Sequence, residues 1–325
     1  MPPRPSAFAR RIIARAPLVG LTVALIACGG ERAGERAPDA TQALPSEFDA
    51  DTAFARVERQ VAFGPRVPGT AGHRAMGDWL VAALRARADT VLVQEWTHTT
   101  ADGQRLPMRN ILARFRPADA RRVLYLAHWD TRPTAERDAD RSKVHTPIPG
   151  ANDGGSGVAI LLGVADALRA RAPSVGVDLL FVDGEDWGSF ETNTDVLIGA
   201  TYFADHLPSP GYSPMLGVLW DMVGDAAPVF LQETWSAQGA PEVLQRVWSV
   251  AAERGHGAVF TNRGGYEITD DHLPLQRKGL RVIDVIDLDY PWHHSTEDTP
   301  DKVSRRTLGI VGDVAVAVIR AVEAP

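Results

Sequence analysis

Four short, nearly uninterrupted apolar runs set the fold that this chain can adopt: Val123 to Ala127, Leu179 to Val182, Met215 to Trp220 and Val282 to Ile286. A strand with one wet face alternates apolar and polar residues, whereas a run that is apolar throughout belongs to a strand buried on both faces, as in a largely parallel sheet. Helical patterns lie between the runs. Gly157 to Ala170 carries Val158, Leu161, Leu162, Ala165 and Leu168; Pro241 to Arg254 carries Val243, Val247 and Val250; and Leu308 to Val322 closes the chain. Strands alternating with helices predict a three-layer α/β/α domain around a central, mostly parallel mixed sheet. Upstream, Phe54, Val57 and Val61 recur at helical spacing, as do Met76, Leu80 and Leu84 after the turn-prone Pro68-Gly69. Val91 to Thr99 and Arg105 to Phe115 flank Asp102-Gly103, a hairpin signal whose loop can exceed two residues. No internal repeat is present.

At 325 residues, 45% hydrophobic and 23% charged, the chain can bury one large core. Its first segment has a basic front, Arg10-Arg11 to Arg15, followed by the apolar stretch Pro17 to Ala27, which is short for a permanent membrane span. Residues 1–28 therefore read as an export signal, by a general or a twin-arginine route. The single cysteine, Cys28, ends the string Leu25-Ile26-Ala27-Cys28, which resembles a bacterial lipobox, so a lipoprotein anchored in the cell envelope through a lipidated Cys28 is expected. One cysteine also leaves no intrachain disulfide, and the exported fold must stand on its core. Residues 29–46 are rich in Gly, Ala, Glu, Arg and Pro and read as a flexible tether, with a single domain over 47–325. The net charge is −7, and residues 1–28 hold four arginines and no acid, so the mature chain carries −11. Such a balance disfavours nucleic acid as a partner; a monomer is expected.

Groups able to bind a metal follow these runs in order: His128 and Asp130, then Asp153, the pair Glu185-Asp186, Asp221, and His294. In open α/β sheets ligands bind beyond the carboxyl ends of the strands. Gathering carboxylates and imidazoles in a partly buried cleft is costly unless their charge is compensated, and a divalent cation is a common compensator. Each group has a plainer reading by itself: a hydrogen-bonded loop histidine for His128, a helix cap for Asp153 before the helix opened by Gly154-Gly155-Ser156-Gly157, a solvated turn for Glu185-Asp186, a cap or turn for Asp221 and for Asp270-Asp271. In Glu185-Asp186, one carboxylate can bind metal while its neighbour moves protons. In His293-His294 the second histidine is the ligand candidate and the first its support.

The strings Phe63 to Gly69, His128-Trp129-Asp130, Gly150 to Gly157, Asp183-Gly184-Glu185-Asp186, Leu219 to Gly224, Asp270 to Pro274 and His294 to Asp298 resemble the M28 family of zinc peptidases, and within it the glutaminyl cyclases more than the aminopeptidases. The resemblance runs from about Val61 to the C-terminus. It implies a zinc-dependent transferase that cyclises N-terminal glutamine of peptides or proteins to pyroglutamate with release of ammonia. One zinc would be held by Asp153, Asp186 and His294, with Glu185 as proton shuttle and Asp221 and Asp270 orienting the amine. The alternative it leaves open is a two-zinc aminopeptidase, with Asp153 bridging, His128 and Asp221 as added ligands, and Glu185 activating water. A non-catalytic peptide-binding lipoprotein is a third. The chain departs from the cyclase pattern at two positions: His293 stands where a tryptophan is expected before the ligand histidine, with Trp292 one place earlier, and Asp186 stands where many relatives carry the longer glutamate. Trp129 and Trp187 flank the site in sequence and are candidates for an apolar pocket wall.

Overall fold

A computed structural model describes residues 45–323, so Cys28, the export signal and nearly all of the tether lie outside the described residues. Two helices come first, α1 (Ala50–Val61) and α2 (Ala71–Arg85). They are followed by β1 (Thr90–Thr99), β2 (Arg105–Phe115) and β3 (Arg122–His128). Next come α3 (Gly155–Ala170), β4 (Gly176–Val182), α4 (Ile198–Asp205) and β5 (Leu216–Asp221). The last third holds β6 (Phe230–Gln232), α5 (Thr234–Gly239), α6 (Pro241–Glu253), β7 (Phe260–Gly264), α7 (His272–Arg277), β8 (Val282–Ile286) and α8 (Arg305–Glu323). Among the described residues no helix is long and apolar enough to cross a membrane.

Six strands form one sheet in the order β1-β2-β4-β3-β5-β8. The β1/β2 and β2/β4 pairs are antiparallel, and β4/β3, β3/β5 and β5/β8 are parallel. The hairpin register pairs Thr99 with Arg105, leaving a connection of residues 100–104 in which Gly103 takes φ +86°. β6 and β7, which no periodicity announced, make a separate two-stranded ribbon.

The uniformly apolar strands are explained by helices on both faces. Val123, Tyr125 and Ala127 face a core built with α1, α2, α3, α6 and α8, while Leu124 and Leu126 face a smaller one containing Phe203 of α4 and Leu275 of α7. Every residue of β3, β4 and β5 is buried, as successive side chains enter opposite cores. α3 lies close against the sheet. A Cβ on Gly157 would run into the carbonyl oxygen of Trp220 and the methyl of Ala127, so the absence of a side chain sets how close the helix lies. Gly157→Val is expected to destabilise the fold by about 1–3 kcal/mol through overpacking, measured as a lower urea midpoint; an unchanged midpoint would contradict this packing.

Candidate metal centre and active-site pocket

Pairing with the neighbouring strand decides where the first candidate sits. The β3/β4 ladder runs on to His128 opposite Val182, so His128 is the last residue of its strand rather than the first of the loop, and Asp221 likewise ends β5. These parallel strands thus bring His128, the 183–186 loop and Asp221 to one edge. Asp153 reaches that edge through the turn before α3. It does not cap the helix: Gly154 is the N-cap, at φ +76° and without a side-chain bond, and a Cβ there would press on the Asp130 carbonyl and the His128 ring.

The carboxylates and imidazoles interlock. His128 Nε2 lies 3.2 Å from Asp153 Oδ1 and 3.1 Å from Asp221 Oδ1, and His128 Nδ1 lies 3.7 Å from Glu185 Oε2. His294 Nε2 lies 3.2 Å from Asp186 Oδ1 and 3.7 Å from Asp153 Oδ2. Donor atoms able to share one ion converge in two sets, His128-Asp153-Asp221 and Asp153-His293-His294. Asp153 belongs to both. The second set brings in His293, expected only as a support, and Asp186 joins it through its contact with His294.

The orphaned atoms fit a cation. Asp153 Oδ2 and Asp186 Oδ2 are buried without a hydrogen-bond partner, which is costly for carboxylate oxygens and is relieved by metal coordination. Protonation is the other relief, and it divides the acids. Burial pushes Glu185 well above the usual carboxylate range; the nearby His128 opposes this, and the charges of Asp186, Asp270 and Asp271 reinforce it. Burial and the charge of Asp221 do the same to Asp270. At Asp153 burial also acts upward, but contact with His128 outweighs it and holds the group below the ordinary range. Burial lowers His294, whereas Asp186 and Glu136 raise it to about 9 with no ion present.

The surrounding backbone is tied down by charge. Asp130 accepts from the N–H groups of Glu185 and Asp186, each at 3.2 Å. Asp298 accepts from those of Asn152 at 2.9 Å and Asp153 at 3.1 Å, and from the Tyr290 hydroxyl at 2.7 Å. Arg66, fully buried, donates to the carbonyls of Trp129, Pro149 and Gly150 at 3.3, 2.5 and 2.7 Å. Burial lowers its guanidinium to about 10, opposed by the charges of Asp298, Asp130 and Asp153, so it remains a cation. On the far side Arg132 donates to Asp186 Oδ1 at 2.9 Å and to Glu136 Oε1 at 2.7 Å, and Glu136 Oε1 is 2.7 Å from His294 Nδ1. Arg66 and Asp298 lie within the strings Phe63 to Gly69 and His294 to Asp298 that carry the resemblance but were assigned no role there, and Arg132 and Glu136 were not singled out; Arg132 left only the signal of a cation two residues beyond Asp130 in the same strand-end loop.

A cavity of about 550 Å³ opens over these groups, lined by Asp153, Glu185, Asp221, Asp270, His293 and His294. Its apolar wall comes from Phe190, Met222, Ile268, Ile286 and Leu288 rather than from the tryptophans that flank the site in sequence. Trp129 is 1% exposed, stacks on His73 and donates its indole N–H to the Arg109 carbonyl, and Trp187 packs with Leu106, Met108 and Ile198. Trp292 does not line the cavity; it packs against the cluster of Met222, Ile268, Ile286 and Tyr290 that forms much of this wall, with its ring against Tyr290 and under the Lys302 ammonium.

Residues 110–319, which hold the carboxylates and imidazoles of this site, match the model of peptidase family M28. The chain belongs to that family. It is similar to a zinc-dependent exopeptidase of Parabacteroides distasonis, at 40% identity over 85% of this chain and 99% of that one with a TM-score of 0.81. It is also similar to the glutaminyl cyclase of Porphyromonas gingivalis, at 38% identity over 85% of this chain and 99% of that one with a TM-score of 0.83. A bovine glutaminyl-peptide cyclotransferase is 27% identical over 75% of this chain and 74% of its own length. The M28 domain shares its mixed sheet flanked by helices with these structures, and its relatives support zinc as the ion. Arg66→Met should cost the domain about 3 kcal/mol or more, because it leaves buried carboxylates without their cation; an unaltered urea unfolding curve would show that Arg66 does not carry that charge balance.

Proposed function

We propose that this M28 domain is a zinc-dependent glutaminyl-peptide cyclotransferase, acting on N-terminal glutamine of peptides or proteins. The observation that carries the proposal is the pair of unpartnered buried oxygens, Asp153 Oδ2 and Asp186 Oδ2, beside His294, where Asp153, His294 and a Glu185 driven toward its protonated form line one pocket. Similarity to the Porphyromonas gingivalis cyclase along 85% of the chain supports the choice of reaction.

Asp153, Asp186 and His294 would hold one zinc, three protein ligands being what a catalytic site with an open position needs. Bound zinc would supply the Lewis acid that polarises the γ-carbonyl of the glutaminyl side chain. Glu185 takes a proton from the neutral α-amine as its nitrogen attacks the side-chain amide carbonyl carbon, Cδ, and gives that proton to the amide nitrogen as it departs as ammonia, so the new C–N bond replaces the old one without net proton change. Burial raises its proton affinity above that of an ordinary glutamate, as a group that must both accept and return a proton requires. Asp221 and Asp270, on the pocket wall, present carboxyl oxygens that can orient the amine by hydrogen bonding. Because nucleophile and electrophile belong to one residue, the pocket's main task is to bend the side chain back on itself, which supplies much of the rate.

A second reading rests on the convergence of His128, Asp153 and Asp221 as another donor set: a two-zinc aminopeptidase in which Asp153 bridges. Purified protein incubated with a glutaminyl peptide should release ammonia and contain about one zinc per chain. Free leucine from a leucyl substrate, together with two metals, would establish the peptidase instead. Glu185→Gln should reduce cyclisation at least 100-fold while keeping the metal, and His294→Ala should lose both; turnover persisting in the first variant rules out Glu185 as shuttle.

We also propose that the chain is exported and anchored through a lipid on Cys28, as a monomer; the support is the basic, apolar and Cys28-terminated pattern of residues 1–28. Labelled palmitate should enter the protein in its native host and be lost in Cys28→Ser. Equal labelling of the two would remove the anchor from the proposal.

A further inference from the structure

We propose that Arg132, acting together with Glu136, is a positioning residue that holds Asp186 and His294 in place to receive the metal. This rests on the zinc reading above, in which both residues are ligands.

One short segment, residues 132–138, reaches both of these distant groups. Arg132 Nη1 donates to the Asp186 side chain at 2.9 Å and to the Asp186 main-chain carbonyl at 3.1 Å, so a single guanidinium fixes that residue at two points. Its Nε donates to Glu136 Oε1 at 2.7 Å. The same oxygen stands 2.7 Å from His294 Nδ1. A carboxylate only accepts, so Nδ1 must carry the hydrogen of this bond, and Nε2 is the nitrogen turned toward Asp153 and Asp186. Thr134 Oγ1 donates to the other Glu136 oxygen at 3.1 Å and sets the direction of that carboxylate.

The need for such a fastening lies in the backbone. His294 adopts φ +53°, a left-handed conformation that costs a non-glycine residue of order 1–3 kcal/mol and persists only where the surroundings enforce it. The segment supplies that enforcement. The Arg137 N–H donates to the His294 carbonyl at 3.2 Å, and Asp138 Oδ2 accepts from the Thr296 N–H at 2.9 Å, adding two further ties just beyond the glutamate–imidazole contact. A short aspartate at 186 adds a second need. It has one methylene fewer with which to adjust, so its carboxylate position depends more heavily on what grips its main chain.

Arginine is suited to this task where lysine is not. The planar fork reaches Asp186 and Glu136 in different directions at once, whereas an ammonium on a flexible stem cannot reproduce both contacts at their fixed geometry. The Arg132–Glu136 pair also carries no net charge, and this separates position from electrostatics. Removing both members leaves the charge beside the metal unchanged, and so does Arg132→Lys.

The test is zinc affinity of the purified full chain, measured by competition with a chelator of known strength, beside the melting temperature of the metal-free form. Arg132→Lys and the double variant Arg132→Met/Glu136→Gln are each expected to weaken zinc binding ten- to a hundredfold, the range typical of lost outer contacts to metal ligands, and to change the visible spectrum of the cobalt-substituted protein. Zinc affinity at the wild-type level in both variants overturns the proposal. So does a lower metal-free melting temperature with unchanged affinity, which would make the segment a scaffold and nothing more. Should the double variant fail to fold, Arg132→Lys alone decides by the same criterion. Failure of the underlying zinc reading looks different: wild type would bind no zinc, or His294→Ala would bind it as tightly as wild type.

Discussion

The structure is governed by how many carboxylates it buries at one edge of its sheet. Asp130, Asp153, Glu185, Asp186, Asp221, Asp270 and Asp298 are all buried there. Left as free anions in a low-dielectric interior they would repel one another strongly, so each must be protonated, hydrogen-bonded to N–H groups, or neutralised by a cation. All three solutions are present. Glu185 and Asp270 are pushed toward the acid form, Asp130 and Asp298 are capped by backbone amides, and Arg66 and Arg132 bring fixed positive charge. Among the buried oxygens left without a hydrogen-bond partner, those of Asp271 and Asp284 belong to acids that burial also pushes toward the protonated form, while one on Asp153 and one on Asp186 lie beside His294, where a metal would satisfy them.

The sheet makes this concentration of charge mechanically possible. β4, β3, β5 and β8 are parallel neighbours, so their carboxyl ends open on one side and every acid delivered by those ends lands in one volume. Helices on both faces seal the rest of each strand, and α3 lies close because Gly157 has no side chain to hold it off. The apolar interior thus serves the site twice: it fixes the strand ends in space, and it removes the water that would otherwise screen the charges.

Much of this was legible in the sequence for a specific reason. Doubly buried strands must be apolar at every position, so their number, order and approximate limits stand out, and polar residues just past them are conspicuous. The resemblance carried by Asp183 to Asp186 and His294 to Asp298 pointed to the right family. Less legible were the short elements α4, α5, α7, β6 and β7, whose residues are set by contacts with the sheet and loops rather than by a local period. Trp129 and Trp187 were misleading as pocket-wall candidates, since adjacency to a ligand in sequence does not say which way a large side chain turns. Trp129 turns into the core against His73, and the wall is built instead from Phe190, Met222, Ile268 and the end of β8 with Leu288, four separate stretches of chain.

By itself the sequence determined the layered α/β architecture, the set of groups able to meet at a metal and the family to which the chain belongs, because burial on two faces and charge at strand ends leave marks in residue order. Only the tertiary structure decided which atoms face which. It ruled out the helix-cap alternative for Asp153 and made it the carboxylate shared by two donor sets, brought His293 into one of them, and joined Arg132 to Asp186 across 54 residues of chain and Glu136 to His294 across 158. Such contacts depend on how loops return over a folded sheet, and that geometry has no local signature along the chain.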